Sequence, residues 1–206
     1  MPGSRAAIPG TSPASVRTAL LYELGTVQLH DSLLGRPFVY DVDSFFQVNL
    51  PIFERTLQRI KEQCKQDGAL VDMYAGTGSI GLSVADESVD LIEVDPATAA
   101  MARINATASD TKATVIEAPT EKVLEHITHE KPVIFDPPRA GLHDKVITST
   151  LEMTPPQIVY LSCNPATQAR DLAKLQETYA MTYFESFNFF PHTPHIETLA
   201  VLERKI

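Results

Sequence analysis

Ala69-Leu70-Val71-Asp72-Met73-Tyr74-Ala75-Gly76-Thr77-Gly78-Ser79-Ile80-Gly81 is the stretch that decides the fold. The apolar run Ala69 to Met73 reads as a buried strand. It enters Gly76-Thr77-Gly78-Ser79-Ile80-Gly81, a G-x-G-x-x-G pattern in the strand, turn, helix context that gives it meaning. Glycines there let the backbone pass close to a ligand. Downstream the chain keeps alternating short apolar runs with helical patterns, at Asp90–Val94, Ala113–Ile116, Pro132–Asp136 and Gln157–Leu161. Such alternation implies right-handed crossovers and a mainly parallel sheet. Met181–Phe189 and His195–Glu203 are joined by Phe190-Pro191-His192-Thr193-Pro194 with no helix between them, so they are expected to pair antiparallel at one end of the sheet. The expected fold class is α/β, with a mainly parallel seven-stranded sheet and an antiparallel C-terminal strand.

Upstream of the glycines, Thr26–His30 and Pro37–Val42 read as short strands around the turn Leu34-Gly35-Arg36, a β-hairpin preface over residues 26–44. Phe46, Leu50, Phe53, Leu57, Ile60 and Cys64 then recur at steps of four and three, a helical stripe. Pro51 fits only in a first turn, so the helix is expected to start near Asn49 and to leave Phe45-Phe46-Gln47 in the approach loop. Cys64 belongs to the core stripe. Residues 1–25, rich in Pro, Gly, Ser and Ala and lacking a hydrophobic secretion segment, are expected to be a flexible tail, and 26–206 one domain.

With 206 residues and 44% hydrophobic content, the chain can bury one substantial core. No run approaches membrane-spanning length. Two cysteines exclude a disulfide framework or a four-cysteine metal site within this chain, and a reducing, cytoplasmic setting follows as the default. The formal net charge of −9 argues against a surface that grips nucleic acid unaided, because affinity for the phosphate backbone comes largely from Lys and Arg.

Several positions carry candidate chemistry. Glu93 ends the second parallel strand, where an acid can accept hydrogen bonds from both ribose hydroxyls of an adenosine; with Gly76 and Gly78 this supports either a dinucleotide or S-adenosylmethionine. Asp136-Pro137-Pro138-Arg139-Ala140-Gly141 follows the fourth strand, and its two prolines stiffen a loop that holds the Asp136 carboxylate at the ligand-binding edge of the sheet. Ser162-Cys163-Asn164-Pro165 puts a thiol between a strand end and a helix whose cap and first residue are Asn164 and Pro165. The partial positive charge of that helix end is expected to lower the thiol pKa and raise the thiolate fraction. Arg170 can meet a phosphate or a carboxylate. His192 and His195 lie three apart before Glu197, a spacing more consistent with loop anchoring than with a metal site, which needs three or four ligands.

Asp72-Met73-Tyr74-Ala75-Gly76-Thr77-Gly78, Asp136-Pro137-Pro138-Arg139, Ser162-Cys163-Asn164-Pro165-Ala166-Thr167 and Pro191-His192-Thr193-Pro194-His195-Ile196-Glu197 occur in the order seen in the RNA uracil-5-methyltransferase family. From about Thr26 to its end the chain resembles that family's catalytic domain. The resemblance implies a Rossmann-like class I S-adenosylmethionine-dependent methyltransferase fold, with Gln47, Tyr74, Glu93 and Asp136 as cofactor contacts. It also implies Cys163 as nucleophile and Glu197 as base. The chemistry asks for those residue types: C5 of uracil is a poor nucleophile, so a thiolate first adds at C6, and a base later removes the C5 proton. Asp136 can serve either the uracil edge or the cofactor's ammonium group.

Full-length members of that family usually carry an N-terminal RNA-binding barrel, and some an iron-sulfur cluster, for which this chain has neither the length nor the cysteines. Ala75 stands where a cysteine is common, and Glu117-Ala118-Pro119-Thr120 supplies no clear adenine contact. The expected partner is an RNA, transfer or ribosomal, reached by a monomer that can need a separate RNA-binding domain. A nicotinamide-dependent oxidoreductase using the same glycine turn and Glu93, and a truncated cofactor-binding module, are the rival readings.

Overall fold

The structure, a computed structural model, describes residues 28–65 and 68–205. The expected tail, together with Thr26, Val27 and Ile206, lies outside the described residues. The chain opens with a hairpin, β1 (Gln28–Leu33) and β2 (Arg36–Asp41), in which Leu33 pairs with Arg36 across a two-residue turn. Leu34 and Gly35 both have positive φ, 52° and 78°, the turn that matches the right-handed twist of the flanking strands. Arg36 donates to the Leu82 carbonyl at 2.7 Å, and Asn105 grips Val39 from both its N–H and its carbonyl, so the hairpin is docked onto the main domain.

Helix α1 (Leu50–Gln63) starts one residue after Asn49, with Pro51 in its first turn, and buries Phe53, Leu57 and Ile60 as the stripe predicts. Phe46 lies outside this helix and stacks on Tyr40 at 4.1 Å between ring centroids. Then follow β3 (Ala69–Asp72), α2 (Ser79–Val84), β4 (Ser88–Glu93), α3 (Pro96–Ala108), β5 (Lys112–Glu117), β6 (Val133–Phe135), α4 (Asp144–Met153), β7 (Gln157–Ser162), α5 (Pro165–Leu175), β8 (Tyr179–Phe187) and β9 (Glu197–Arg204).

Seven strands form one sheet in the order β5-β4-β3-β6-β7-β9-β8. All pairings are parallel except those of β9, which inserts between β7 and β8 and runs against both. Consecutive residues of the central strands enter opposite layers of core: Leu70, Ile134, Val159 and Leu161 pack beneath α1 and α2, while Val71, Val133, Phe135, Ile158 and Tyr160 pack with Val146 and Ile147 of α4. Burial on both faces explains why these strands read as continuous apolar runs rather than alternating ones. The chain reverses direction of sheet growth between β3 and β6, and ligands of open α/β sheets bind at that switch point, outside the carboxyl ends of the strands. Among the described residues, no helix is long and apolar enough to cross a membrane.

Candidate active site

A cavity of about 980 Å³ opens at this switch point. Its floor is the turn after β3. Gly76 and Gly78 have φ of 56° and 82°, and a Cβ built on Gly76 would meet nothing within 4 Å, so the backbone there faces open space. Gly81 has the opposite surroundings: a Cβ there would come within 2.6 Å of Leu91 and 3.1 Å of both Asp72 and Val89. Gly76 thus offers close approach at the cavity, whereas Gly78, expected to do the same, does not line it and, with a Cβ position 3.0 Å from Leu82 and 3.1 Å from Leu91, shares the tight packing behind it with Gly81. Asp72, fully buried at the end of β3, accepts the Gly81 amide at 3.0 Å. Burial pushes its carboxyl up to about 7.

Glu93 ends β4 and joins the two loops that flank the cavity. One carboxylate oxygen accepts the Gly76 amide at 2.9 Å and the other accepts the Asp95 amide at 2.7 Å. Gln47, in the loop before α1, is buried against the cavity, and its Oε1 has no hydrogen-bond partner. That loop is pinned by Asn49, which donates to the Phe189 carbonyl at 3.1 Å. Tyr74 lines the same space, its hydroxyl pushed up to about 12 chiefly by burial.

Pro119 and Thr120, in the segment after β5 from which the sequence offers no clear adenine contact, form part of the cavity wall together with Glu121. The Thr120 hydroxyl is committed to the Met73 carbonyl at 2.5 Å. Phe45, Thr77 and Asp95 line it as well, and only the neighbouring glycine motif and Gln47 could have flagged them.

At the far end of the cavity, Asp136, Arg139, Cys163 and Glu197 come together from three elements. Asp136 directly follows β6, Cys163 directly follows β7, and Glu197 is the first residue of β9. In the β7–β9 ladder Ser162 pairs with Thr198. Antiparallel register therefore carries Cys163 and Glu197 to facing positions one step further on. The turn is held by Asn164, which caps α5 by accepting the Ala166 amide at 3.2 Å and also donates to the Arg139 carbonyl at 3.0 Å.

This arrangement corrects the expected thiol. Cys163, half-buried, has its pKa raised, first by burial and then by the carboxylates of Glu197 and Asp136. The Arg139 guanidinium pulls the other way. The helix end reads as electropositive in one dimension, but burial first, and then two acids delivered by other strands, set the direction of the shift. Burial likewise pushes Glu197 up to about 7 and holds Asp136 well above the usual carboxylate range, with Glu197 and Asp72 adding to the latter.

Arg170 meets a carboxylate: it reaches Asp171 at 2.7 Å and the Ala140 carbonyl at 2.9 Å. His192 and His195 lie in an exposed loop, with the His195 ring edge-on to Phe190 at 6.2 Å. Among the described residues, no group of three or more His, Cys, Asp or Glu side chains could hold a metal ion. Cys64 is buried beside the core, as expected.

The donor set fits S-adenosylmethionine. An orphaned buried amide oxygen on Gln47 suits an ammonium group, a floor at Gly76 leaves room for a ligand, and Glu93 presents a carboxylate beside it. Fold and cavity together are those of a class I methyltransferase. The chain belongs to the tRNA (uracil-5-)-methyltransferase family, whose model matches residues 15–205.

It is 33% identical over 194 residues to an uncharacterized RNA methyltransferase of Nanoarchaeum equitans, covering 92% of this chain and 43% of that protein. It is 37% identical over 192 residues to one of Lactobacillus johnsonii, covering 87% and 42%. The chain therefore spans less than half the length of these curated relatives. Among solved structures, the Pyrococcus abyssi tRNA (uracil-54, C5)-methyltransferase in complex with S-adenosyl-L-homocysteine superposes with a TM-score of 0.79 at 28% identity, covering 92% of this chain and 49% of that one. The tRNA m1G37 methyltransferase of M. jannaschii, at 14% identity and a TM-score of 0.67, shares the fold.

Proposed function

We propose that this chain transfers a methyl group from S-adenosylmethionine to C5 of a uridine in RNA, through a covalent adduct between Cys163 and C6. The observation that carries the reading is the meeting of Cys163 and Glu197 at facing positions beyond the β7–β9 ladder, in the same cavity as the Gly76–Glu93 cradle. Gln47, Tyr74 and Glu93 are assigned to the cofactor, with Gly76 giving its backbone approach and Gly78 shaping the turn behind it. When bound, S-adenosylmethionine supplies an electrophilic methyl group to the electron pair at C5.

The chain's residues would divide the work as follows. Cys163, as thiolate, forms a bond to C6, and the C5–C6 π pair moves toward C5 and the O4 carbonyl. Arg139, which favours the anionic forms of both Cys163 and Glu197, assists that first step. Asp136, whose proton affinity burial raises well above that of an ordinary carboxylate, can in its neutral form donate a hydrogen bond to the uracil edge. Once C5 carries the methyl group, Glu197 takes the C5 proton, the C5–C6 double bond re-forms, and the sulfur leaves as thiolate. A carboxyl poised near 7 is suited to accept that proton at neutral pH.

The family description and the P. abyssi neighbour favour tRNA over ribosomal RNA as the substrate. A base reaches Cys163 only if it is unstacked or flipped from its helix. With a net charge of −9, the chain is assigned a separate RNA-binding region to deliver that base. Incubation with 5-fluorouridine tRNA and S-adenosylmethionine tests the reaction, since fluorine at C5 cannot be removed as a proton. The wild type is expected to form a covalent complex stable to denaturation, and Cys163→Ala none; equal trapping by both would overturn the mechanism.

A further inference from the structure

Gln168 is a glutamine on the first turns of α5, a place where that residue type ordinarily faces water, yet it is only 1% exposed. Its Nε2 donates to two backbone carbonyls, Tyr160 of β7 at 2.9 Å and Thr198 of β9 at 3.1 Å. Carbonyls only accept, so the amide orientation is fixed, and Oε1 is left to accept from the Thr198 hydroxyl at 2.8 Å. That hydroxyl also lies 3.3 Å from the Ser162 carbonyl. One side chain thus ties Tyr160 of β7 to Thr198 of β9, and Thr198, in the last β7–β9 pair with Ser162, directly precedes the positions that carry Cys163 and Glu197. Beyond that pair β7 enters the turn before α5, while Glu197 of β9 still pairs with Phe187 of β8, and no further β7–β9 ladder pair fixes the spacing of Cys163 and Glu197.

We propose that Gln168, through Thr198, is the positioning residue that sets the separation of Cys163 from Glu197. This rests on the reading of those two residues as nucleophile and base. A merely structural staple would be equally buried, but it would have no reason to bond both strands within two residues of the ladder's end. A buried amide with both protons and its oxygen engaged has a single arrangement, and each strand end inherits it.

The thiol reports the separation without RNA or cofactor. The charged groups facing Cys163 are Glu197, Asp136 and Arg139, and Glu197 is the one next to Thr198, which Gln168 holds. Alkylation by iodoacetamide, followed across the thiol titration range by mass spectrometry of the Cys163 peptide, is compared in the wild type, Gln168→Met, Thr198→Val and Thr198→Ser. Gln168→Met keeps the volume and removes all three bonds; if it fails to fold, Thr198→Val removes only the hydroxyl link. The alkylation midpoint is expected to fall by about one pH unit in Gln168→Met, a tenfold gain in thiolate below the midpoint, to fall less in Thr198→Val, and to stay at the wild-type value in Thr198→Ser.

With tRNA and S-adenosylmethionine, Gln168→Met is also expected to accumulate the adduct on ordinary uridine, because proton removal slows more than addition. Alkylation profiles that superimpose on the wild type in folded Gln168→Met and Thr198→Val, or that move upward, would overturn the proposal. Failure of the wild type to methylate RNA would count against the proposed reaction and leave the alkylation comparison intact.

Discussion

The Gly76 amide donates to the Glu93 carboxylate at 2.9 Å, so the glycine turn and the acid that ends the next strand form one hydrogen-bonded unit. Glu93→Ala removes both the acceptor offered to a ribose and the tie that holds the turn. Charge-assisted hydrogen bonds contribute about 1.5–3 kcal/mol, so S-adenosylhomocysteine is expected to bind roughly 10- to 100-fold more weakly. Calorimetric titration of the wild type and variant checks this, and unchanged affinity would remove Glu93 from the cofactor site.

Gly76→Ala and Gly81→Ala should fail in different ways. At Gly76 the added methyl group enters open space, so the cost is the left-handed backbone, about 1–2 kcal/mol, together with a loss of cofactor affinity because the methyl group occupies the cavity floor. At Gly81 the φ is ordinary, and alanine gains about 1 kcal/mol of helix propensity. Against that stand Leu91, Val89 and Asp72, all buried and within 3.1 Å of the new atom. Overpacking of this kind costs about 1–3 kcal/mol, so a net loss of stability is expected. Urea unfolding and cofactor titration of both variants separate the two effects.

Much of this was legible in local pattern. Alternating runs located all seven strands of the sheet, the Asn49–Pro51 and Asn164–Pro165 pairs marked the starts of two helices, and the final strands were expected to be antiparallel neighbours. The insertion of β9 between β7 and β8 was not legible, since local periodicity does not encode strand order, yet that insertion is what brings Glu197 to Cys163. For the same reason the thiol's environment is not legible: sequence displays the helix start at Pro165, two residues away, but neither the burial of Cys163 nor the two acids arriving from β6 and β9. Gln168 escaped notice because a glutamine in a helix gives no sign of burial.

Glu197 ties stability to pH. The unfolded chain releases this proton near 4.5 and the folded protein near 7, so between those values the folded state holds more protons and loses stability as pH rises. Asp72 and Asp136 act in the same direction. Glu197→Gln is expected to melt close to the wild type near pH 4.5 and above it near pH 8, with the difference opening across the interval. Thermal unfolding at matched ionic strength measures it, and a difference that does not grow with pH would contradict the burial argument. Methyl transfer by the wild type should rise with pH through 7 as the base ionises, and continue rising because the Cys163 thiol ionises higher still.

Asp171 anchors the loop that carries Asp136 and Arg139. Fully buried on α5, it accepts the Leu142 amide at 2.8 Å and the Tyr160 hydroxyl at 2.8 Å, and its second oxygen faces Arg170. A Cβ on Gly141 would come within 2.5 Å of it, so the loop passes too close for any other residue. Asp171→Ala leaves the amide and the phenol as buried donors without an acceptor, each costing about 1–3 kcal/mol, and a loss on the order of 3 kcal/mol is expected in urea unfolding. Asp171→Asn, with its amide oxygen in the place of the Oδ2 that serves both donors, keeps their acceptor and loses the Arg170 ion pair, so it should lose less. If the anchor also fixes the loop for catalysis, the Asn variant should fall in kcat more than it weakens S-adenosylhomocysteine binding, because Gly76 and Glu93 lie on other strands and keep their geometry.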